Sequence, residues 1–171
     1  AGERVVIATV CTGDTPKGIA LSEAARHVHW EWQLGDDNPY AARRAEDIAA
    51  CAALGAEALH LGFLDAVYRH DAHGAPLYTR NFIGGAVHDA DWRGTCFALI
   101  ARFRAIAGAA TRVYCPLAIG GHVDHVLARS AAEAALAGGR RALTYYEDYP
   151  YAQKIAMGVM PSLRGPLGFA R

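Results

Sequence analysis

The sequence predicts an α/β protein with a Rossmann-like, mainly parallel sheet sandwiched by helices. Two observations carry that reading. Short β-branched or aromatic runs alternate with longer stretches of helical periodicity, and glycine or proline punctuates the joins. Acidic residues and histidines also recur just past the runs, where ligands collect in open α/β sheets.

Val5-Val-Ile-Ala-Thr-Val10 is a continuous apolar run, suited to a central strand buried on both faces, and Thr12-Gly13-Asp14 closes it. Ser22 reads as an N-cap, with Glu23 in the first turn of a helix running to about Trp32. Gly35-Asp-Asp-Asn-Pro39 breaks that helix. A second helix spans about Ala41 to Leu54, with Ile48, Cys51 and Leu54 on one face and Gly55 as its terminator. Ala58-Leu-His-Leu61 makes a second strand, and Asp65 follows its carboxyl end. Residues 70–90, rich in His, Asp, Gly and Pro, read as a long surface loop. Trp92, Cys96, Leu99, Ile100, Phe103 and Ile106 recur at helical spacing. Arg112 to Pro116 is a third strand, His122 to Leu136 holds a helix ended by Gly138-Gly139, and Leu143 to Tyr146 is a fourth strand followed by Glu147-Asp148. Asp14, Asp65, His122, His125, Glu147 and Asp148 all fall at carboxyl ends of strands.

The bulk numbers narrow the function. A chain of 171 residues, 53% hydrophobic and 20% charged, suits one domain with an ample core. Lys+Arg and Asp+Glu both number 17, which gives no electrostatic reason to expect nucleic acid or an anionic membrane. A small uncharged substrate fits better, and a homo-oligomer is left open. Cysteines at 11, 51, 96 and 115 lack a Cys-x-x-Cys spacing, so they read as buried reduced thiols in a cytoplasmic setting. No apolar run approaches the roughly 18 residues that span a bilayer, and Ala1-Gly2-Glu3-Arg4 is not a signal peptide. No Gly-x-Gly-x-x-Gly follows any predicted strand, which argues against a nucleotide-binding protein.

Chemistry concentrates at Gly121-His122-Val123-Asp124-His125. In a first helical turn, residues three apart lie on one face, with Cβ atoms about 5–6 Å apart. Two imidazoles there can address one small site, and Asp124 between them can orient a ring by accepting its second N–H. The bland alternative is a solvated helix start with Asp124 favouring the dipole. Two histidines are also too few for a zinc site, which needs three protein ligands plus water.

The stretch Gly121 to His125 resembles the His-Pro-Asp-His motif of the LmbE/PIG-L de-N-acetylase family, with Val123 in place of proline. Arg43-x-x-Glu46 followed by Leu54-Gly55 is similar to the family's Arg-x-x-Glu…Leu-Gly helix. Leu61 to Asp65 and Thr12-Gly13-Asp14 resemble further elements, in order, over residues 5 to about 150.

The resemblance implies a Rossmann-like fold and zinc-dependent removal of an N-acetyl group from a glucosamine-containing small molecule, with Zn2+ or another divalent cation as cofactor. By position, His125 would be a metal ligand and His122 an electrostatic or general-acid group, held in its tautomer and favoured as imidazolium by Asp124. Arg43 would position substrate or oxyanion, and Asp65 would accept from sugar hydroxyls. Arg43 with Glu46 could instead be a surface pair, and Asp65 a turn residue. Tyr68 and Arg69 either line the pocket or sit on the surface. Tyr145 to Tyr151 could shape a sugar site or simply pack.

Nothing in the chain matches the family's first-strand Pro-His-Pro-Asp-Asp-Glu segment, and Asp36-Asp37 lacks the preceding His and strand. The expectation is therefore a single deacetylase domain over residues 1–171 that is N-terminally incomplete. The competing expectation is a sugar-binding pseudo-enzyme without the first-strand ligands. The tail after Tyr151 matches the family poorly.

Overall fold

The computed structural model describes residues 2–32, 38–79, 84–110, 112–139 and 142–158. It divides into two units, Ala1–Ile83 and Gly84–Arg171.

In the first unit, β1 (Val6–Cys11) pairs in parallel with β2 (Glu57–Phe63), Val6 opposite Glu57 and Cys11 opposite Phe63. Between them lie α1 (Glu23–Glu31) and α2 (Pro39–Ala53). Ser22 caps α1 as expected, its hydroxyl accepting the Ala25 N–H at 3.0 Å. Asn38 caps α2, Pro39 occupies its first turn, and Gly55 follows its end at φ +69°. Thr9 Oγ1 donates to Asp47 Oδ2 at 3.0 Å, and His60 Nε2 meets the same oxygen at 2.8 Å, so one carboxylate of α2 ties both strands to the helix.

Two expectations for this unit need correction. Val6 is exposed, so β1 is not buried on both faces; among the described residues β1 is paired on one side only, to β2. Ile48 and Leu54 are exposed as well, and α2 buries Pro39, Tyr40 and Cys51 instead. The helix is anchored at its start by aromatic packing, in its middle by the Asp47 hydrogen bonds, and later by buried Cys51 of the expected face. Residues 35–37 of the segment between the helices, Asp36-Asp37 included, lie outside the described residues.

The second unit holds β3 (Val113–Pro116) and β4 (Leu143–Tyr146), parallel and in register from Val113 opposite Leu143 to Pro116 opposite Tyr146. The helical stretch expected over 92–107 is present but composite: α3 (Asp89–Asp91), a π turn over Trp92–Cys96, then α4 (Phe97–Ile106). The π turn contains Gly94 and sits beside buried Asp91, which accepts the Thr95 hydroxyl at 2.8 Å.

Helix α5 (Val123–Leu136) packs on α4 and β3, and Leu99, Val123, Leu127 and Ala131 are sealed from solvent. Burying a leucine such as Leu127 is worth about 1.5–3 kcal/mol. Arg129 on α5 donates to Glu133 at 2.8 Å and to the Leu117 carbonyl at 3.0 Å, and lies over the Tyr145 ring at 5.0 Å, tying the helix to both strand ends. A short helix, α6 (Tyr151–Ala156), follows β4 where only an unmatched tail was expected. Part of the loop over 70–90 is organised by a bridge between His70 and Pro76, and residues 80–83 lie outside the described set. Of the tail, residues 159–171 lie outside it too.

Candidate functional site

In the second unit the chain leaves β3 through Leu117 to Gly121 and enters α5 at His122. That crossing is tight. Ala118 is buried at φ +59°, and Gly120 and Gly121 stand at φ +86° and +67°. Left-handed backbone at a buried alanine is costly and persists only where the surroundings enforce it. Gly120 is required twice over, because a Cβ there would lie 2.9 Å from the Tyr151 ring.

The turn delivers His122 as the N-cap of α5, its Nδ1 accepting the backbone N–H of Asp124 at 3.2 Å. A nitrogen that accepts carries no proton, so the neutral ring bears its proton on Nε2. The backbone N–H of Asp124 thus addresses the Nδ1 side of the ring. Asp124 also places its charge in the first turn of α5, where the helix dipole favours it.

His125 stands one turn on, with ring centroids 5.3 Å apart, as the i, i+3 spacing predicts. Its Nδ1 is hydrogen-bonded to Asp148 Oδ1. Asp148 is only 2% exposed, and its other oxygen accepts the Ile119 N–H at 3.0 Å. Tyr151, at the start of α6, meets His125 edge-on at 5.5 Å and lies 6.4 Å from His122. His122, Asp124 and His125 are therefore brought together, with Asp148 and Tyr151 added by the structure.

The first unit gathers the other candidates. Tyr40 is buried and its hydroxyl donates to Asp65 Oδ2 at 2.7 Å; Asp65 Oδ1 accepts the Val67 N–H at 3.2 Å, capping a 3-10 turn over Ala66–Tyr68. Burial first, and the adjacent Asp65 charge second, push the Tyr40 phenol far above its usual range, so it remains a donor. Asp65 is half-buried, so the turn role and a free face coexist.

Tyr68 is not presented to a ligand. It is 2% exposed, packs edge-on against Tyr40 at 5.8 Å, and shares a 2.5 Å hydrogen bond with Nε2 of buried His29. Burial likewise raises its phenol pKa. The Arg43 guanidinium stacks over Trp32, 4.1 Å from the ring centroid, and Trp32 in turn meets Tyr40 edge-on at 6.0 Å. Arg43, Trp32 and Tyr40 line one wall of an open cavity of about 480 Å³. Arg69 is buried.

Sequence reasoning missed His29, Trp32 and Tyr40; it placed Asp148 past the fourth strand without giving it a partner and left Tyr151 between shaping a site and packing. The aromatics look like ordinary core until coordinates show what their polar ends touch.

No protein-family profile matches the chain. Over 128 residues it is 37% identical to 2'-N-acetylparomamine deacetylase of Streptomyces fradiae, covering 74% of this chain and 43% of that protein. It superposes on the zinc-inhibited form of a teicoplanin deacetylase with a TM-score of 0.76 at 32% identity, covering 87% of this chain and 58% of the other. An A40926 pseudoaglycone deacetylase follows the same fold, with a TM-score of 0.64 at 28% identity over 88% of this chain and 54% of the other. The deacetylases that this chain is similar to are of the LmbE/PIG-L type. The chain spans less than half the length of the curated relative and under two thirds of these solved ones.

Similarity to these deacetylases directs attention to a cation, and His125 provides the test of fit. Its Nδ1 is occupied by a carboxylate, which leaves the Nε2 lone pair as the donor, the arrangement of metal-ligating histidines generally. One ligand position fits. Among the described residues no group of three or more His, Cys, Asp or Glu is placed to complete a site.

Proposed function

We propose that the protein containing this chain is a metal-dependent hydrolase that removes an N-acetyl group from a glucosamine-containing small molecule. The carrying observation is the pair of imidazoles on one side of the α5 start, 5.3 Å apart, each engaged through its Nδ1. The names of the relatives, deacetylases of a paromamine, teicoplanin and a pseudoaglycone, support both the reaction and an amino-sugar or glycoconjugate substrate.

An amide is a poor electrophile, so water must be activated near pH 7 and the oxyanion stabilised. A divalent cation, when bound, lowers the pKa of its water and polarises the carbonyl. His125 would hold that cation through its Nε2. Zinc inhibits one relative, so Zn2+ is one candidate among divalent ions for the working metal. His122 is the electrostatic or general-acid group beside the carbonyl, and Asp124 holds it in its tautomer, its backbone N–H meeting Nδ1. Arg43, steadied by Trp32, meets the substrate, and Asp65, oriented by Tyr40, accepts from sugar hydroxyls. Tyr68 supports these from beneath. The cysteines at 11, 51, 96 and 115 form no disulfide among the described residues, which supports a reducing, cytoplasmic setting.

The test is deacetylation of an N-acetylglucosaminide by the full chain and its His122→Ala variant. Loss of a general acid or oxyanion donor should lower kcat by about 10²–10³-fold. Near-normal turnover by the variant would remove His122 from the reaction.

A further inference from the structure

We propose that Tyr40 is a positioning residue that holds two substrate contacts, Arg43 and Asp65, at one fixed spacing. The proposal rests on the substrate roles given to Arg43 and Asp65 above. Arg43 is exposed on α2, and a long exposed side chain samples many rotamers unless something restrains it. Asp65 is half-buried in the turn after β2, far from Arg43 in sequence.

Tyr40 reaches each of them through a different part of its side chain. Its hydroxyl donates to Asp65 Oδ2 at 2.7 Å, and Asp65 Oδ1 accepts the Val67 N–H at 3.2 Å, so both carboxylate oxygens are pinned. Its ring meets Trp32 edge-on at 6.0 Å. The Arg43 guanidinium lies 4.1 Å from the Trp32 centroid and 5.7 Å from that of Tyr40, where the ring faces attract a cation.

The support itself is rigid. Tyr40 is 1% exposed at the start of α2, directly behind the Asn38 cap and Pro39. Buried Tyr68 braces its ring edge-on at 5.8 Å, and the Tyr68 hydroxyl is hydrogen-bonded to buried His29. Tyr40, Trp32 and Arg43 line the same open cavity. A donor and an acceptor fixed in this way recognise a ligand whose own acceptor and hydroxyl are fixed, as on a sugar ring, because little ordering remains to be done on binding.

Substitution separates the two handles. Tyr40→Phe removes the hydroxyl and keeps the ring; Tyr40→Leu removes both. By NMR without ligand, Tyr40→Phe should shift the Val67 amide and leave the Arg43 side-chain protons at their upfield, ring-shielded positions, whereas Tyr40→Leu should move both. Wild type needs no variant to fold, and its Arg43 Nε–H should relax as an ordered group. Titration with methyl N-acetylglucosaminide should show Tyr40→Phe binding about 2–10-fold more weakly, the range of one ordinary hydrogen bond. That loss should vanish in an Asp65→Asn background and persist in Arg43→Ala, and the further loss from Phe to Leu should vanish in Arg43→Ala. A disordered Arg43 Nε–H in wild type, or a Tyr40→Phe loss undiminished by Asp65→Asn, would overturn the proposal. If wild type does not bind the sugar, the substrate roles of Arg43 and Asp65 fail instead, and the ligand-free spectra then decide whether Tyr40 positions the two side chains.

Discussion

Two hydrogen-bonded carboxylates in the first unit show how burial, rather than distance, decides what a contact is worth. Arg4 and Glu57 meet through two 2.6 Å contacts, yet both side chains are more than half exposed. Water competes for such a pair, and it contributes little. Tyr40 and Asp65 share a single 2.7 Å bond, but the phenol is sealed from solvent and has no water to fall back on. A hydrogen bond to a charged group is worth about 1.5–3 kcal/mol. Tyr40→Phe should therefore destabilise the protein by about that amount in urea unfolding, and Arg4→Ala by clearly less. Equal losses in the two variants would show that Asp65 does not depend on Tyr40.

The turn between β3 and α5 concentrates constraint in five residues. Gly120→Ala should cost about 1–3 kcal/mol from its positive φ, and more from the 2.9 Å approach to the Tyr151 ring. Comparing thermal unfolding of Gly120→Ala in the wild-type and Tyr151→Ala backgrounds separates the two: only the steric part is relieved in the second. Identical losses would mean that the ring gives way.

Elements like this one mark the limit of what could be read in the chain. Ser22, Gly55 and the His122 helix start were legible because caps and terminators act through local hydrogen bonds that leave residue-type signatures. The i, i+3 imidazole pair was legible for the same reason. The apolar face of α2 was misread because a stripe says which residues could be buried, not whether anything covers them. The π turn was invisible, since Asp91 looks like any early-turn acid until it is seen buried on Thr95. Asp148 lies 23 residues from His125, and no periodicity joins them.

At the scale of the whole chain, the acid–base balance of stability follows from which groups are buried neutral. With 17 basic and 17 acidic residues there is little net charge to repel near neutral pH, so individual titrations dominate the pH dependence. Cys115, buried in β3, has its thiol pushed up to about 11, first by burial and then by Glu133. In the unfolded chain this thiol would ionise at its ordinary value of 9.0. Between those two values the unfolded state binds fewer protons than the folded one, so stability falls as pH rises. The Cys115 contribution is complete below pH 9 and is lost progressively toward about 11. The raised phenol of Tyr40 acts in the same direction above its ordinary value of 10.0. Urea midpoints measured from pH 7 to pH 11 should therefore decline more steeply for wild type than for Cys115→Ala. A constant offset from the lost packing is irrelevant to the comparison, because only the slope reports the thiol. Parallel declines would show that the buried tyrosines, and not Cys115, set the alkaline limit of the fold.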